Sequence, residues 1–314
     1  MDKFWESLGG KLAERWLSVS SYAVVFWLGA LLAWAVGHDG THRLTAWLSK
    51  QQVPVQFLTL VLVLLGVAGT GLAVEQLITP VLRLAEGYWP KPLAAFRERR
   101  ITRVAERAER DRTTWQDLIP DVLGPGADPS PGRLEEYARI DERLRRTPPS
   151  RGQLMPTRTG NILRAAETWP LRKYGLDTLT VWPRLWLLLP DVTRSGLLQA
   201  RGALNRAVSI LIWGGLFCLL TPWTWYALPV GITAMAIAWT WTIPDRAAVY
   251  ADLLESAFDL HRGLLYESLR WPLPTDPADE HTRGRELTIY LRRGSDKNEP
   301  TFTQPPIDWP PLRP

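Results

Sequence analysis

Cysteine is almost missing from this sequence. Cys218 is the single one in 314 residues. It lies in an apolar run, so a disulfide framework or a cysteine-based zinc site is excluded within one chain. Histidine is scarce as well, with 4 in all. His38 and His42 have a spacing that suits a metal on a helix. Gly40 between them argues against a helix, and no metal is expected. No G-x-x-x-x-G-K-[ST] loop, G-x-G-x-x-G fingerprint, H-E-x-x-H helix or G-x-S-x-G elbow occurs. Glu135 and Glu136 sit in a charged stretch and read as solvated. The sequence points away from an enzyme and implies no cofactor.

Charge is absent over four stretches. Residues 57–74 are 18 uncharged residues that as a helix rise about 27 Å, close to the roughly 30 Å hydrocarbon core of a bilayer. Residues 17–37, 207–220 and 226–243 are uncharged too. The expected fold class is all-α, a four-span helical membrane protein with a helical cytoplasmic domain. The spans fall at about 17–37, 53–79, 207–220 and 226–243. Mean hydropathy, at −0.11, hides them because apolar and Arg-rich blocks cancel. Of the 17 Trp, Trp16, Trp89, Trp223, Trp225, Trp239 and Trp241 stand at the ends of apolar runs, as in an interfacial aromatic belt.

The net charge is +5 and the pI about 9.5. In a membrane protein this balance points to cytoplasmic segments facing anionic lipid, and no nucleic acid is expected. Lys and Arg number 3 before the first span, 2 between the first and second, 23 between the second and third, none in the second hairpin and 9 after it. The positive-inside rule then places both termini and residues 80–206 in the cytoplasm.

Along the chain, residues 1–16 read as an amphipathic helix, either interfacial or the flank of the first span. No signal-peptide cleavage site follows. On the second span Gly66, Gly69, Thr70 and Ala73 share one face, and Gly69 and Ala73 form a small-xxx-small pair suited to close helix packing. Glu75 lies on the opposite face near the membrane boundary, where it either reaches water or an arginine, or lines a pore. The apolar pattern continues past Pro80, which predicts a kinked helix leaving the membrane. A charged helix is expected over 93–118, a Pro/Gly linker over 120–132 and a short helix over 133–146.

In the next stretch Trp169 and Pro170 are expected to end a helix that starts at 159–161, and Asp177 to cap the following one. Residues 179–189 are too short to span and read as an interfacial, re-entrant or core helix. Asp191 is expected to cap a helix that continues into the third span. A second cytoplasmic helix over 244–271 carries a broad apolar stripe in need of a partner surface, with His261 on it as a structural residue. Residues 272–314 form a Pro-rich tail with one strand-like piece at 287–291. Both halves share a plan of hairpin, proline and amphipathic helix.

The stretch PTRTGNILRAAETWPLRKYGLDTLTVWPRLWLLLP, with LAEGYWP before it, resembles a group of bacterial multi-pass membrane proteins. The resemblance implies a bacterial inner-membrane setting and carries no activity. The four-span plan is also similar in architecture to bestrophin-type channels, which implies a homo-oligomeric pore. The functional expectation is therefore an oligomeric pore or channel in a lipid bilayer. The alternative is a non-conducting anchor that recruits a cytoplasmic protein partner. Gly66, Gly69, Thr70 and Glu75 are the candidates for helix packing or pore lining. Arg158, Arg164, Arg172 and Lys173 are the candidates for anionic lipid headgroups.

Overall fold

The computed structural model describes residues 23–24, 26–30, 50–295 and 300–303. The expected helix over 1–16, most of the first span, the turn at 38–42 and the end of the tail lie outside the described residues. No strand occurs among the described residues, and the chain is all-α. It divides into two compact units, residues 1–84 with 205–243 and residues 85–204 with 244–314.

The first unit is built on α1, Val53–Glu86. The helix passes through Pro80 without a break. Its surface is largely open, with Leu58, Leu62, Leu64 and Leu65 all exposed. Gly71, Val74, Leu82 and Ala85 are its buried residues. The C-terminal part of α6 (Asp191–Cys218) and α7 (Ala227–Ile237) make a hairpin. Leu219, Leu220, Thr221, Trp223 and Thr224 close its turn through backbone bonds to carbonyls three and four residues back. The two helices touch at backbone level: a Cβ on Gly231 would stand 2.6 Å from the Gly214 carbonyl oxygen. Only glycine permits that approach. Phe26 fills the neighbouring space against Trp213 and Phe217, with ring centroids 5.0 and 6.4 Å away.

Pro244 does not start a separate helix. A π turn, Ala238–Thr242, joins α7 to α8, Ile243–His261. The amide of Ile243 donates to the Ala238 carbonyl. The wider turn absorbs the donor that Pro244 lacks and relieves the clash of its ring with the preceding turn.

The second unit has two parts. In the first, α2 (Ala94–Leu123) and α3 (Pro131–Arg145) pair as a hairpin. Ile101, Ala108, Leu118 and Ile140 are its buried contacts. Trp115 stacks on Tyr137 at 6.2 Å and donates to Asp141 at 3.0 Å. In the second part α4 (Arg158–Tyr174), α5 (Thr178–Leu188), α9 (Gly263–Ser268) and α10 (Pro277–Arg293) pack around Ile162, Ala166, Leu176, Val181, Leu185, Leu265, Tyr266 and Leu287.

Three local expectations are corrected. Trp169 and Pro170 do not end α4, which runs on to Tyr174 and stops at Gly175, whose φ is +71°. Pro170 costs the helix one hydrogen bond, and the burial of Pro170 and Tyr174 holds the last turn. Asp191 is the first residue of α6 and not its cap; the Pro190 carbonyl accepts the first helical bond, from Arg194, at 3.0 Å. The strand-like piece 287–291 is the last part of α10. Asp276 caps that helix by accepting from Ala278 and Asp279, Pro277 opens it, and Arg292 and Arg293 close it. These end signals outweigh a short run of β-prone residues.

Candidate functional site

Where α1 ends, its last turn sits in a socket made by residues 154–161. Thr157 has extended backbone and accepts a hydrogen bond from the Gly160 amide at 3.0 Å, which caps α4. Asn161 is buried and fully used. Its amide nitrogen donates to the Met155 and Thr157 carbonyls, each at 2.9 Å, and its oxygen accepts from the Met155 amide at 2.8 Å. The Glu86 carbonyl oxygen lies against Gly160, where a Cβ would meet it at 1.9 Å. Gly87 turns the chain away with φ +103°, and a Cβ there would strike the Pro156 ring at 2.4 Å. Arg97 donates back to the Gly87 carbonyl at 3.3 Å. Leu154, Met155, Pro156, Thr157, Thr159, Gly160 and Asn161 are buried in the socket, and Arg158 is exposed.

On α1 itself Gly66 and Gly69 face open space, with nothing within 4 Å of where a Cβ would stand. The Thr70 hydroxyl donates to the Gly66 and Val67 carbonyls at 2.8 and 2.9 Å and accepts from Trp27 Nε1 at 2.9 Å. Glu75 is half-buried and has no ion-pair partner among the described residues.

The lipid-headgroup candidates are mostly occupied. Lys173 pairs with Asp259 at 3.2 Å and stands over the Trp169 ring at 4.2 Å. Arg164 pairs with Glu167 at 3.2 Å, and Arg158 with Asp245 at 3.9 Å. Arg172 is lowered from the usual arginine range by burial, which nearby Glu255 offsets in part. For Lys173, burial works against the charge, but hydrogen bonds to Tyr174 and Asp259 prevail and the ammonium is held above its usual range.

A second ionic cluster has no signature in the sequence. Arg145 of α3 pairs with Glu142 at 3.1 Å, and with Asp252 and Glu255 of α8 at 2.9 and 3.2 Å. Arg146 also reaches Asp252, at 3.2 Å. Burial pushes the Glu255 carboxyl up, while Arg145 draws it down less strongly. Glu142 is the reverse: burial opposes its charge, and the two guanidiniums outweigh burial and lower it. No sequence spacing links partners 107 residues apart. His261 is held by Thr193, whose Oγ1 is 3.1 Å from its Nε2. Among the described residues no group of three or more His, Cys, Asp or Glu could hold a metal ion.

Two helical runs, Val53–Leu123 and Ala227–His261, contain windows long and apolar enough to cross a membrane, judged by length and composition. Those windows are only 11% and 28% buried. Among the described residues the chain is thus helical without strands and carries two helical runs of membrane length whose apolar windows are largely open. α6 is not among them: from Ala207 to its end at Cys218 it rises only about 17 Å, and Arg206 precedes that stretch. The chain matches no family model, no curated protein and no solved structure.

Proposed function

We propose that the chain is a four-span integral membrane protein of a bacterial inner membrane, its third span shorter than the hydrocarbon core, that assembles into an oligomeric pore, with its helical domain and both termini in the cytoplasm. The observation that carries this reading is α1. It presents a bilayer's length of exposed Leu and Val. Gly66 and Gly69 on it have nothing against them, so a helix of a second copy can approach its backbone closely. Glu75 supplies a carboxylate near one end of that apolar length, suited to attracting cations at a pore mouth.

Conductance of the purified oligomer in planar bilayers tests the pore, and Glu75→Gln should reduce cation over anion selectivity. A well-folded oligomer that stays silent under all voltages removes the pore from this reading. Gly69→Leu should dissociate the assembly while leaving monomers inserted.

A second reading, an anchor for a cytoplasmic protein partner, draws on Leu179, Leu187 and Val192. These apolar residues are 78%, 76% and 84% exposed. Leu187→Glu should abolish capture of the partner.

A further inference from the structure

The helix α2 separates its charges in a way that the linear sequence conceals. Arg99, Arg100, Arg103, Arg107 and Arg110 are all exposed. At 100° per residue they fall within an arc of about 100°, and from Arg99 to Arg110 they cover about 17 Å of helix. Glu98, Glu106 and Glu109 fall on the adjoining flank, and the arc itself holds no carboxylate from Phe96 through Arg110. None of the five arginines forms an ion pair among the described residues. Arg110 uses its Nε within the helix, donating to the Glu106 carbonyl at 3.2 Å. The other side of α2 is taken up by α3.

We propose that this arginine arc binds the phosphates of anionic lipid headgroups. The inference rests on the membrane reading above. Three observations favour lipid over other polyanions. Seven residues, 87–93, separate the end of α1 from α2, so the arc begins within a short chain length of a helix of bilayer dimensions. Phe96 continues the arc at its N-terminal end and is 51% exposed, with Leu93 next to it at 45%. Apolar side chains in line with arginines suit the boundary between headgroups and acyl chains. The glutamate flank would repel the second strand of a nucleic-acid duplex, while a lipid surface needs only the one face. The face is also independent of Arg158, Arg164 and Lys173, whose charges already face carboxylates.

The test uses the full chain with Leu93→Cys carrying an environment-sensitive dye, in a Cys218→Ser background. The protein is reconstituted in vesicles of phosphatidylcholine alone or with about 30% phosphatidylglycerol, a charge density at which each surface arginine contributes measurably. The dye emission should shift to the blue only with phosphatidylglycerol, and high salt should reverse the shift. Replacing all five arginines by Gln should remove at least nine-tenths of it, and replacing them by Lys should keep most of it. The Lys variant guards against a mere folding defect. If the protein resists alkaline extraction but the dye reads the same in both lipids, or the Gln variant behaves as the parent, the lipid arc is overturned and the membrane reading stands. If alkali strips the protein from both vesicles, the membrane reading falls first. A shift with duplex DNA and none with phosphatidylglycerol also overturns the proposal.

Discussion

The helices α1 and α4 invert the usual relation between composition and burial. α1 has no charge from Phe57 to Val74, yet the apolar window it carries is 11% buried. α4 holds Arg158, Arg164, Glu167, Arg172 and Lys173, yet Thr159, Gly160, Asn161, Ile162, Leu163, Ala165, Ala166, Pro170 and Tyr174 are buried on it. In water an apolar helix left open would cost about 25 cal/mol for each Å² of exposed apolar surface, and soluble chains hide such surface. Hydrocarbon removes that cost. α4 shows what water demands instead: one face closed over a core and every charge provided with a partner or with solvent. On the membrane reading proposed above, the difference between the two helices is a difference of solvent.

The largest effect expected from breaking this comparison lies where the two helices meet, at the socket. Gly160→Leu would push a side chain into the Glu86 carbonyl, which a Cβ alone already approaches at 1.9 Å. Backbone cannot yield as a flexible side chain can, so a loss above about 4 kcal/mol is expected. It would appear as failure to accumulate folded protein. Normal yield and an unchanged melting temperature would contradict the socket.

Next come two changes of about 3 kcal/mol with opposite meanings. Asn161→Ala strands the Met155 amide and carbonyl in a buried place, while the Thr157 carbonyl keeps the backbone amide of residue 161; the cost is about 3 kcal/mol. Thr157→Ala removes one cap bond and should cost about 1 kcal/mol. Thermal melts in detergent rank them, and equal effects would mean that Asn161 is no more than a cap. On α1, Leu64→Arg puts a charge on a side chain that is 58% exposed. In a bilayer centre that change costs about 2.5–3.5 kcal/mol of insertion free energy. In water it would be close to neutral. Glycosylation-mapped insertion of the isolated 50–90 segment separates the two, and an unaffected insertion would place α1 outside the hydrocarbon.

The all-helical class is legible because apolar runs of bilayer length and charged helical stretches fill most of the chain. Helix ends are less legible. At Pro170 and Pro244 the sequence shows the lost donor, which argues for a break, but not the burial or the π turn that tolerates it. The β-prone residues of 287–291 suggest a strand only when weighed without the cap at Asp276, eleven residues upstream of Leu287. The stretch at 156–190 does not show its physics in linear form. Its Thr157 and Asn161 are a buried hydrogen-bond knot, and nothing in their spacing shows that the Glu86 carbonyl lies against Gly160 between them. Charge alone singles out the headgroup candidates on α4. Partners for two of them come from α8, some 86 residues away in the case of Lys173.

The smallest expected effect tests whether partnered charges in the second unit matter much. Glu142 and Glu255 flank Arg145 and titrate in opposite senses. Glu142 is lowered in the folded protein, so its stabilisation is present above the unfolded carboxylate range and is lost as pH falls through the lower folded value. Glu255 is raised, so its contribution is full below the unfolded range and is lost as pH rises through the higher folded value. The Glu142 side chain is 45% exposed and Arg145 41%, so solvent screening holds the Glu142 contribution below about 1 kcal/mol. Melting curves from pH 4 to 7, about the range in which ordinary carboxylates titrate, should show Glu142→Gln losing stability near neutrality. Glu255→Gln should gain a little there and flatten the rise of stability on mild acidification. If both variants lose stability equally at neutral pH, Glu255 is held by Arg145 more strongly than burial opposes it, and the cluster is a rigid clasp in which neither carboxylate is strained.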